Sequence, residues 1–228
     1  MKTQKEIFRE TEADAWLARN RPALAGFDPE QDAVIRHLRP HVRPGQVVAE
    51  VGCALAARAA ALANLTGGLG YGVDPSTQAI ADASALHPHL TLAQGTADAL
   101  PWLDQSVDVL VYGFCLYLCD RADLFRIAAE GDRVLRDGGL LAVLDFAPPF
   151  PYRNPYSHQP GVFSYKMDHA KLWTWNPAWL EISREVCDHG ARSAPGTSTF
   201  TPDERIAVSV LKKLPSHAYP QGSQHGAT

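Results

Sequence analysis

The chain has 228 residues, a formal net charge of −4 and 46% hydrophobic residues, values that are ordinary for a globular α/β domain. The negative charge argues against a nucleic-acid backbone as the main partner. No apolar run reaches membrane-spanning length, and the first residues lack the apolar core of a secretion signal. The four cysteines are scattered among apolar neighbours without metal-ligand spacing. We therefore expect a cytoplasmic protein with reduced thiols and no metal site.

The first 45 residues predict two helices ahead of the main sheet. Phe8 and Trp16 recur at helical spacing within Lys2 to Asn20, on an apolar face that is too thin for a core helix. We therefore expect this helix to act as a lid and to end at Asn20-Arg21-Pro22. Asp28-Pro29 should begin the second helix, because Asp caps helix starts and Pro suits the first helical position.

A strand, a helix and a second strand follow. Val47 to Val51 is a short apolar run typical of a buried strand, and it contains Glu50. Ala54 to Ala63 is rich in alanine, which favours a helix that packs closely on a sheet. Gly70 to Val73 then ends at Asp74. This order is typical of the βαβ unit that binds an adenosine-containing cofactor.

The rest of the chain repeats the alternation. Helices are predicted at Thr77 to Leu86 and at Leu124 to Leu135, where a glycine-rich stretch follows. Five further strands are predicted, at Leu90 to Ala93, Val107 to Tyr112, Leu140 to Phe146, Leu180 to Val186 and Arg205 to Lys212.

Four blocks in order carry a family resemblance. Glu50 to Ala56 resembles the first motif of the class I S-adenosylmethionine (SAM)-dependent methyltransferases, and Tyr71 to Ser76 resembles the second. Gly95 to Trp102 resembles the block after the third strand, and Val134 to Leu141 the last common block. The resemblance implies an α/β, Rossmann-like fold, with a seven-stranded, mostly parallel, doubly wound sheet. Its last strand would be antiparallel and lie between the fifth and sixth.

The first motif departs from the family at Ala54 and Ala56, where glycine is usual. Alanine is compatible with such a turn where φ is negative and unfavourable where φ is positive. We expect SAM binding to persist, with the turn slightly displaced from the methionine end of the cofactor.

The resemblance implies SAM as the cofactor and assigns roles to particular residues. Asp74 would accept hydrogen bonds from the ribose hydroxyls, and Asp98 would meet the adenine amino group. Asp98 has a second interpretation as a turn or helix cap. Residues just beyond the fourth strand should lie near the cofactor, at the point where strand order reverses. The expected cofactor-binding residues are Glu50, Gly52, Cys53, Asp74, Pro75, Thr96, Ala97, Asp98, Gly113 and Phe114.

Phe150 to Trp179 holds eight of the twenty aromatic residues. Such a segment predicts a substrate pocket with an apolar floor, and the alternative is a second small core over the sheet edge. We expect one domain over residues 1–214, with amino-terminal helices at 1–45, a substrate-covering insert at 147–179 and a disordered tail at 215–228.

The leading functional interpretation is a methyltransferase acting on an oxygen or nitrogen nucleophile of a small molecule, for example a sugar or metabolite. A looser likeness to bacterial methyltransferases of surface-polysaccharide or small-metabolite pathways favours this class. Such a nucleophile usually needs a proton acceptor, for which the candidates are Asp145, His158, Tyr117 and His169. Asp145 lies at the predicted tip of the fifth strand.

Two alternatives stay open. A SAM-binding scaffold or regulatory protein would keep the fold without the chemistry, and Ala54 and Ala56 are its best support. A nicotinamide dehydrogenase would use Gly52-x-Ala54-x-x-Ala57 as its fingerprint, but no Tyr-x-x-x-Lys pair follows. The sequence leaves open the methyl acceptor, the methylated atom and the oligomeric state.

Overall fold

The computed structural model describes residues 2–189 and 201–215. Its main sheet has the strand order β3-β2-β1-β4-β5-β9-β8, and β6 and β7 form a separate hairpin. Strands β1 to β5 are parallel, and β9 lies antiparallel between β5 and β8. This arrangement confirms the expected doubly wound sheet with an antiparallel last strand. The strands are β1 (Val48–Val51), β2 (Gly70–Asp74), β3 (Thr91–Gln94), β4 (Val107–Gly113), β5 (Leu135–Phe146), β6 (Tyr152–Pro155), β7 (Phe163–Lys166), β8 (Trp179–Asp188) and β9 (Arg205–Lys213).

The helices cover both faces of the sheet and one end of it. They are α1 (Gln4–Ile7), a π-helical turn (Phe8–Glu12), α2 (Ala13–Leu24), α3 (Ala33–Leu38), α4 (Ala57–Thr66), α5 (Thr77–Leu86), α6 (Leu124–Val134) and α7 (Lys171–Thr174). The first three run on without a break and are called the amino-terminal helix below. Within the described residues, no helix is long and apolar enough to cross a membrane.

The end of the amino-terminal helix differs from the prediction. The helix continues through Pro22 to Leu24. Arg21 forms an ion pair with Asp82 of α5, and the backbone N–H of Ala25 donates to the Arg21 carbonyl. These contacts hold the last turn helical beyond the position where proline would be expected to end it.

The start of α3 also lies later than predicted. Asp32 is the helix cap, and its side chain accepts a hydrogen bond from the Ile35 N–H at 2.9 Å. Asp28 instead closes a turn by accepting from the Glu30 N–H at 3.0 Å. Asp is favoured both at helix caps and in turns, so the local sequence does not distinguish the role of Asp28 from that of Asp32.

The core lies on both faces of the sheet because alternate residues of a strand point to opposite sides. Val109 and Val111 of β4 pack in the cluster that contains α3. Leu110 and Tyr112 pack in the opposite cluster, which contains α6 and Trp173. The two faces together bury Val107 and residues Val109 to Tyr112 of β4 and so position its carboxyl end.

Part of the aromatic segment belongs to this core. Trp173 is 2% exposed, its ring centroid lies 5.4 Å from that of Tyr112, and its indole N–H donates to the Ala128 carbonyl at 3.2 Å. Trp179 is buried in the same cluster. By contrast, Trp175 is 72% exposed. The second half of the segment therefore covers the sheet, as the second interpretation expected, and the substrate role of residues 147–179 stays a prediction.

The turn after β1 adopts left-handed backbone at three positions. Gly52 has φ 71°, Ala54 has φ 45° and Ala56 has φ 56°. The turn is held by the Ala54 N–H, which donates to Asp74 Oδ2 at 2.9 Å, and by the Ala56 N–H, which donates to the Cys53 carbonyl at 2.7 Å. Both alanines are therefore in the conformation that is unfavourable for a residue with a Cβ, at about 1–2 kcal/mol each.

Replacing Ala56 by glycine should stabilise the protein, by about 1 kcal/mol, because glycine adopts positive φ without a steric cost. Chemical denaturation measures the free energy of unfolding. Ala61→Gly, in the interior of α4, is the matched control and should destabilise by about 1 kcal/mol. Equal destabilisation by the two substitutions would contradict the strain at Ala56.

Substitutions of Trp173, in α7, and Trp175, at the end of α7, should differ clearly in their effect on the free energy of unfolding. Trp173→Ala should cost about 3–5 kcal/mol of unfolding free energy, because it removes a buried ring and leaves a cavity. Trp175 lies two residues further along the chain and is exposed, so Trp175→Ala should change the free energy by less than about 0.5 kcal/mol. Similar costs for the two substitutions would show that the core assignment of Trp173 is wrong.

Candidate functional site

A cleft opens at the carboxyl ends of β1, β2 and β4. One wall is formed by the strand ends and the loops that follow them, and the other by the amino-terminal helix. The position is the one where ligands bind in doubly wound sheets.

Eight of the ten residues expected to bind a cofactor line this cleft. They are Gly52, Asp74, Pro75, Thr96, Ala97, Asp98, Gly113 and Phe114. Glu50 and Cys53 lie outside the lining. The strand ends thus bring together residues that are up to 62 positions apart in the chain, and the proposed roles of these residues stay predictions.

Glu50 lies in a buried ion-pair network beside the cleft. Its Oε1 accepts from Arg58 at 2.6 Å, its Oε2 accepts from the Ala59 N–H at 3.1 Å, and Arg58 also contacts Asp32 at 2.9 Å. Burial raises the pKa of Glu50, and Arg58 opposes this rise. Cys53 is also buried, against the alanines of α4. Both side chains therefore support the turn, and any contact they make with a ligand is untested.

Asp74 lies at the tip of β2 and faces the cleft. Its Oδ2 accepts from the Ala54 N–H at 2.9 Å and its Oδ1 from the Ser76 N–H at 2.8 Å. Burial raises the pKa of Asp74, while these two backbone donors lower it. Each carboxylate oxygen can accept more than one hydrogen bond, so both retain capacity for hydroxyl donors of a ligand.

Two glycines are required by close approaches at the base of the cleft. A Cβ on Gly52 would lie 2.6 Å from Cys115 Cβ, and a Cβ on Gly113 would lie 2.3 Å from a guanidinium nitrogen of Arg58. Phe114, the next residue, has φ 53° although it carries a large side chain. Left-handed backbone at a bulky residue is a strained state, and such states cluster at functional sites.

Asp145 lies at the end of β5 as predicted, but it is only 2% exposed and lies outside the cleft lining. Its Oδ2 accepts from the backbone N–H groups of Leu116 and Tyr117, at 3.0 and 3.2 Å. Burial raises the pKa of Asp145 to about 7, against the opposing effect of these donors. Its side chain thus holds the loop that follows β4, and its use as a base stays a prediction.

The other candidate bases are distributed around this loop. Tyr117 is held at its backbone by Asp145, and burial raises the pKa of its phenol well above the usual range. His158 is exposed, and its ring packs edge-on against Tyr156, with the ring centroids 5.2 Å apart. His169 is buried with Nδ1 3.9 Å from Asp145 Oδ1, and burial lowers its pKa to about 4. Within the described residues, none of the three lines the cleft.

The amino-terminal helix contributes residues to the cleft that the sequence did not single out as ligand contacts. Lys5, Phe8, Ala13 and Trp16 all line it. The spacing of Phe8 and Trp16 on a thin apolar face predicted that this helix is a lid, which is consistent with their place in the cleft. Nothing in the sequence pattern indicated a contact for Lys5. Across residues 2–189 and 201–215, no group of three or more His, Cys, Asp or Glu side chains could hold a metal ion.

Part of the chain is similar to known methyltransferases. Residues 49–143 match the family model described as a methyltransferase domain. The chain is 35% identical over 104 residues to the ubiquinone/menaquinone biosynthesis C-methyltransferase UbiE of Rubrivivax gelatinosus. This match covers 45% of the present chain and 39% of UbiE. The chain is 31% identical over 108 residues to the methyltransferase sll0829 of Synechocystis, covering 47% of this chain and 50% of that protein. Each match spans half or less of the curated relative.

Among solved structures, the 1,6-didemethyltoxoflavin-N1-methyltransferase of Burkholderia thailandensis superposes with a TM-score of 0.72. The two chains are 13% identical, and the superposition covers 94% of this chain and 92% of the other. This likeness shows a shared fold. The chain therefore has the same fold as that methyltransferase. Its residues 49–143 match the methyltransferase domain model.

The Asp145 carboxyl should make stability depend on pH. Its pKa of about 7 in the folded protein lies above the value near 3.9 of an unfolded chain. The folded state therefore keeps a proton that the unfolded state loses, and stability falls as pH rises from about 4 to 7. The free energy of unfolding of the wild type, minus that of Asp145→Asn, should fall by about 2–4 kcal/mol over this range. A difference that stays constant with pH would contradict the raised pKa.

Proposed function

We propose that this protein is a methyltransferase that uses SAM and methylates a small molecule. The observation that carries the proposal is the cleft at the carboxyl ends of β1, β2 and β4, which Asp74 and Asp98 line. When bound, SAM supplies an electrophilic methyl group. The chain supplies the walls that bind and orient the reactants, and orientation of this kind can account for about 7–11 kcal/mol of the barrier.

The residues present fit an adenosine-containing cofactor. Asp74 keeps acceptor capacity for the two ribose hydroxyls, and Gly52 lines the cleft without adding a side chain to it. Phe8, Trp16 and Phe114 would exclude water from the reacting atoms, because these aromatic side chains line the same cleft. The residues to which we assign cofactor contacts are the eight that line the cleft.

The nature of the methyl acceptor is narrowed by the position of the candidate bases. Within the described lining, the carboxylates are Asp74, Asp98, Asp120 and Asp123, and no imidazole is present. Asp145 holds the loop that follows β4, to which Tyr117 belongs, and neither residue lines the cleft. This supports an acceptor of low pKa, such as an acidic phenol or an activated carbon acid, whose proton can pass to a cleft carboxylate or to solvent. The C-methyltransferase named among the relatives fits a carbon acceptor.

The scaffold interpretation keeps a specific observation in its favour. The strain at Ala54 and Ala56 lies in the turn after β1, which would face the methionine end of SAM. A protein that binds SAM or S-adenosylhomocysteine, but transfers no methyl group to phenols, carbon acids or amines of any kind offered, would support this alternative. Transfer of the labelled methyl group from SAM to one of these acceptors would reject it.

Asp74→Ala should lower the affinity for S-adenosylhomocysteine tenfold or more, because two ribose hydroxyls lose their acceptor at about 1–3 kcal/mol each. Isothermal calorimetry measures this, and wild-type binding in the micromolar range corresponds to about −8 kcal/mol. Asp82→Ala, an acid on α5 outside the cleft, is the control and should leave the affinity unchanged.

The unfolding temperature of Asp74→Ala must be recorded beside its affinity, since Asp74 also accepts from Ala54 and Ser76. If a folded Asp74→Ala variant kept the wild-type affinity, the assignment of Asp74 to the ribose hydroxyls would be wrong. A wild type that binds neither SAM nor S-adenosylhomocysteine at millimolar concentration would reject the proposed function.

A further inference from the structure

Lys5 bridges the amino-terminal helix and the opposite wall of the cleft. Its Nζ lies 2.6 Å from Asp98 Oδ2 and 3.1 Å from Asp123 Oδ2. All three side chains line the cleft, and Lys5 is the single cation among the described residues that do so. Ninety-three positions separate Lys5 from Asp98 in the chain, so only the folded protein brings them together.

The hydrogen-bonding capacity of this pair is not used up. A lysine ammonium has three donors, and the two carboxylates take two of them. A carboxylate has about four acceptor sites, and those of Asp98 Oδ2 are only partly used by Lys5. Asp98 is 8% exposed and the side chain of Lys5 is 30% exposed, so the ammonium lies at the edge of the cleft where a ligand can reach it.

The pair presents an acceptor and a donor side by side. The Watson–Crick edge of adenine presents the complementary pattern, with the 6-amino donor next to the acceptor nitrogen N1. We propose that Lys5 is a recognition residue for the nucleoside: it donates to N1 of adenine while Asp98 accepts from the 6-amino group. This inference rests on the proposed function, because the adenosine must come from SAM or its product.

The electrostatics of the pair are consistent with this role. Hydrogen bonds from Lys5 to Asp98 and Asp123 raise the pKa of Lys5 against the effect of its burial. Burial raises the pKa of Asp98, but hydrogen bonds from Lys5 and Thr96 outweigh it and lower the value overall. Both groups are therefore charged at neutral pH, and charge-assisted hydrogen bonds are stronger than neutral ones.

A ligand held in this way also fastens the helix. Lys5 belongs to the same continuous helix as Phe8 and Trp16, which form the wall above the cleft. A nucleoside bound to Lys5 and Asp98 together would connect both walls. The amino-terminal helix would thus bind the adenine and also cover the reacting atoms.

The test compares S-adenosylhomocysteine with its 1-deaza analogue, in which N1 of adenine is replaced by carbon. The analogue keeps the 6-amino group and loses the acceptor that Lys5 would use. Wild-type protein should bind it about tenfold or more weakly, the cost of one hydrogen bond to a charged donor. Lys5→Met should bind S-adenosylhomocysteine about tenfold more weakly and lose the discrimination between the two ligands.

Lys2→Met is the matched control. Lys2 lies three residues away in the same segment, pairs with Glu10 and is absent from the cleft lining. It should keep both the wild-type affinity and the discrimination. Equal binding of the two ligands by the wild type, or preserved discrimination in Lys5→Met, would overturn the inference and leave the proposed function intact. So would tighter binding by Lys5→Met, because Lys5 would then only compete with the nucleoside for Asp98.

Discussion

The buried guanidinium of Arg58 is the contact on which the architecture around the cleft depends. It joins Glu50 at the end of β1 to Asp32 ahead of α3, at 2.6 and 2.9 Å, and Glu50 also holds the Ala59 N–H of α4. Gly113 must lack a side chain because Arg58 occupies the space that a Cβ would need. Three desolvated charges tolerate little rearrangement, since an unpaired one costs about 3–5 kcal/mol. The network therefore fixes the strand ends from which the ligand site is built.

Around this rigid base the backbone carries local strain. Ala54, Ala56 and Phe114 all have positive φ, and all three belong to the loops that follow β1 and β4. These conformations persist because Asp74 accepts from Ala54, and because the Phe114 N–H donates to the Leu144 carbonyl at 2.8 Å. Strain of this kind concentrates where a chain must present groups in a particular geometry. The protein thus combines a well-supported ion-pair network with a turn in which alanine is less stable than glycine would be.

The sequence predicted the features that depend on neighbours in the chain. The seven strands of the main sheet, Asp74 at a strand tip and the loop after β4 follow from apolar runs and the residues that end them. It did not predict features that distant contacts decide. The amino-terminal helix continues through Pro22 because of a contact with α5, and Glu50 forms a buried ion pair with Arg58. The pairing of Lys5 with Asp98 depends on the packing of a whole helix. The predicted tail at 215–228 lies, except for its first residue, outside the described residues.

The amino-terminal helix contacts more than the Asp98 side of the cleft. Asp14 bonds Ser76 at the start of α5, whereas Gln4 donates to the Phe163 carbonyl and Arg19 to the Tyr156 hydroxyl on the β6–β7 side. A single element thus touches both halves of the domain. A ligand that shifts this helix at the cleft would therefore alter its contacts with the β6–β7 side. Because such linkage is reciprocal, anything bound on the β6–β7 side that shifts the helix would change the affinity of the cleft by the same factor.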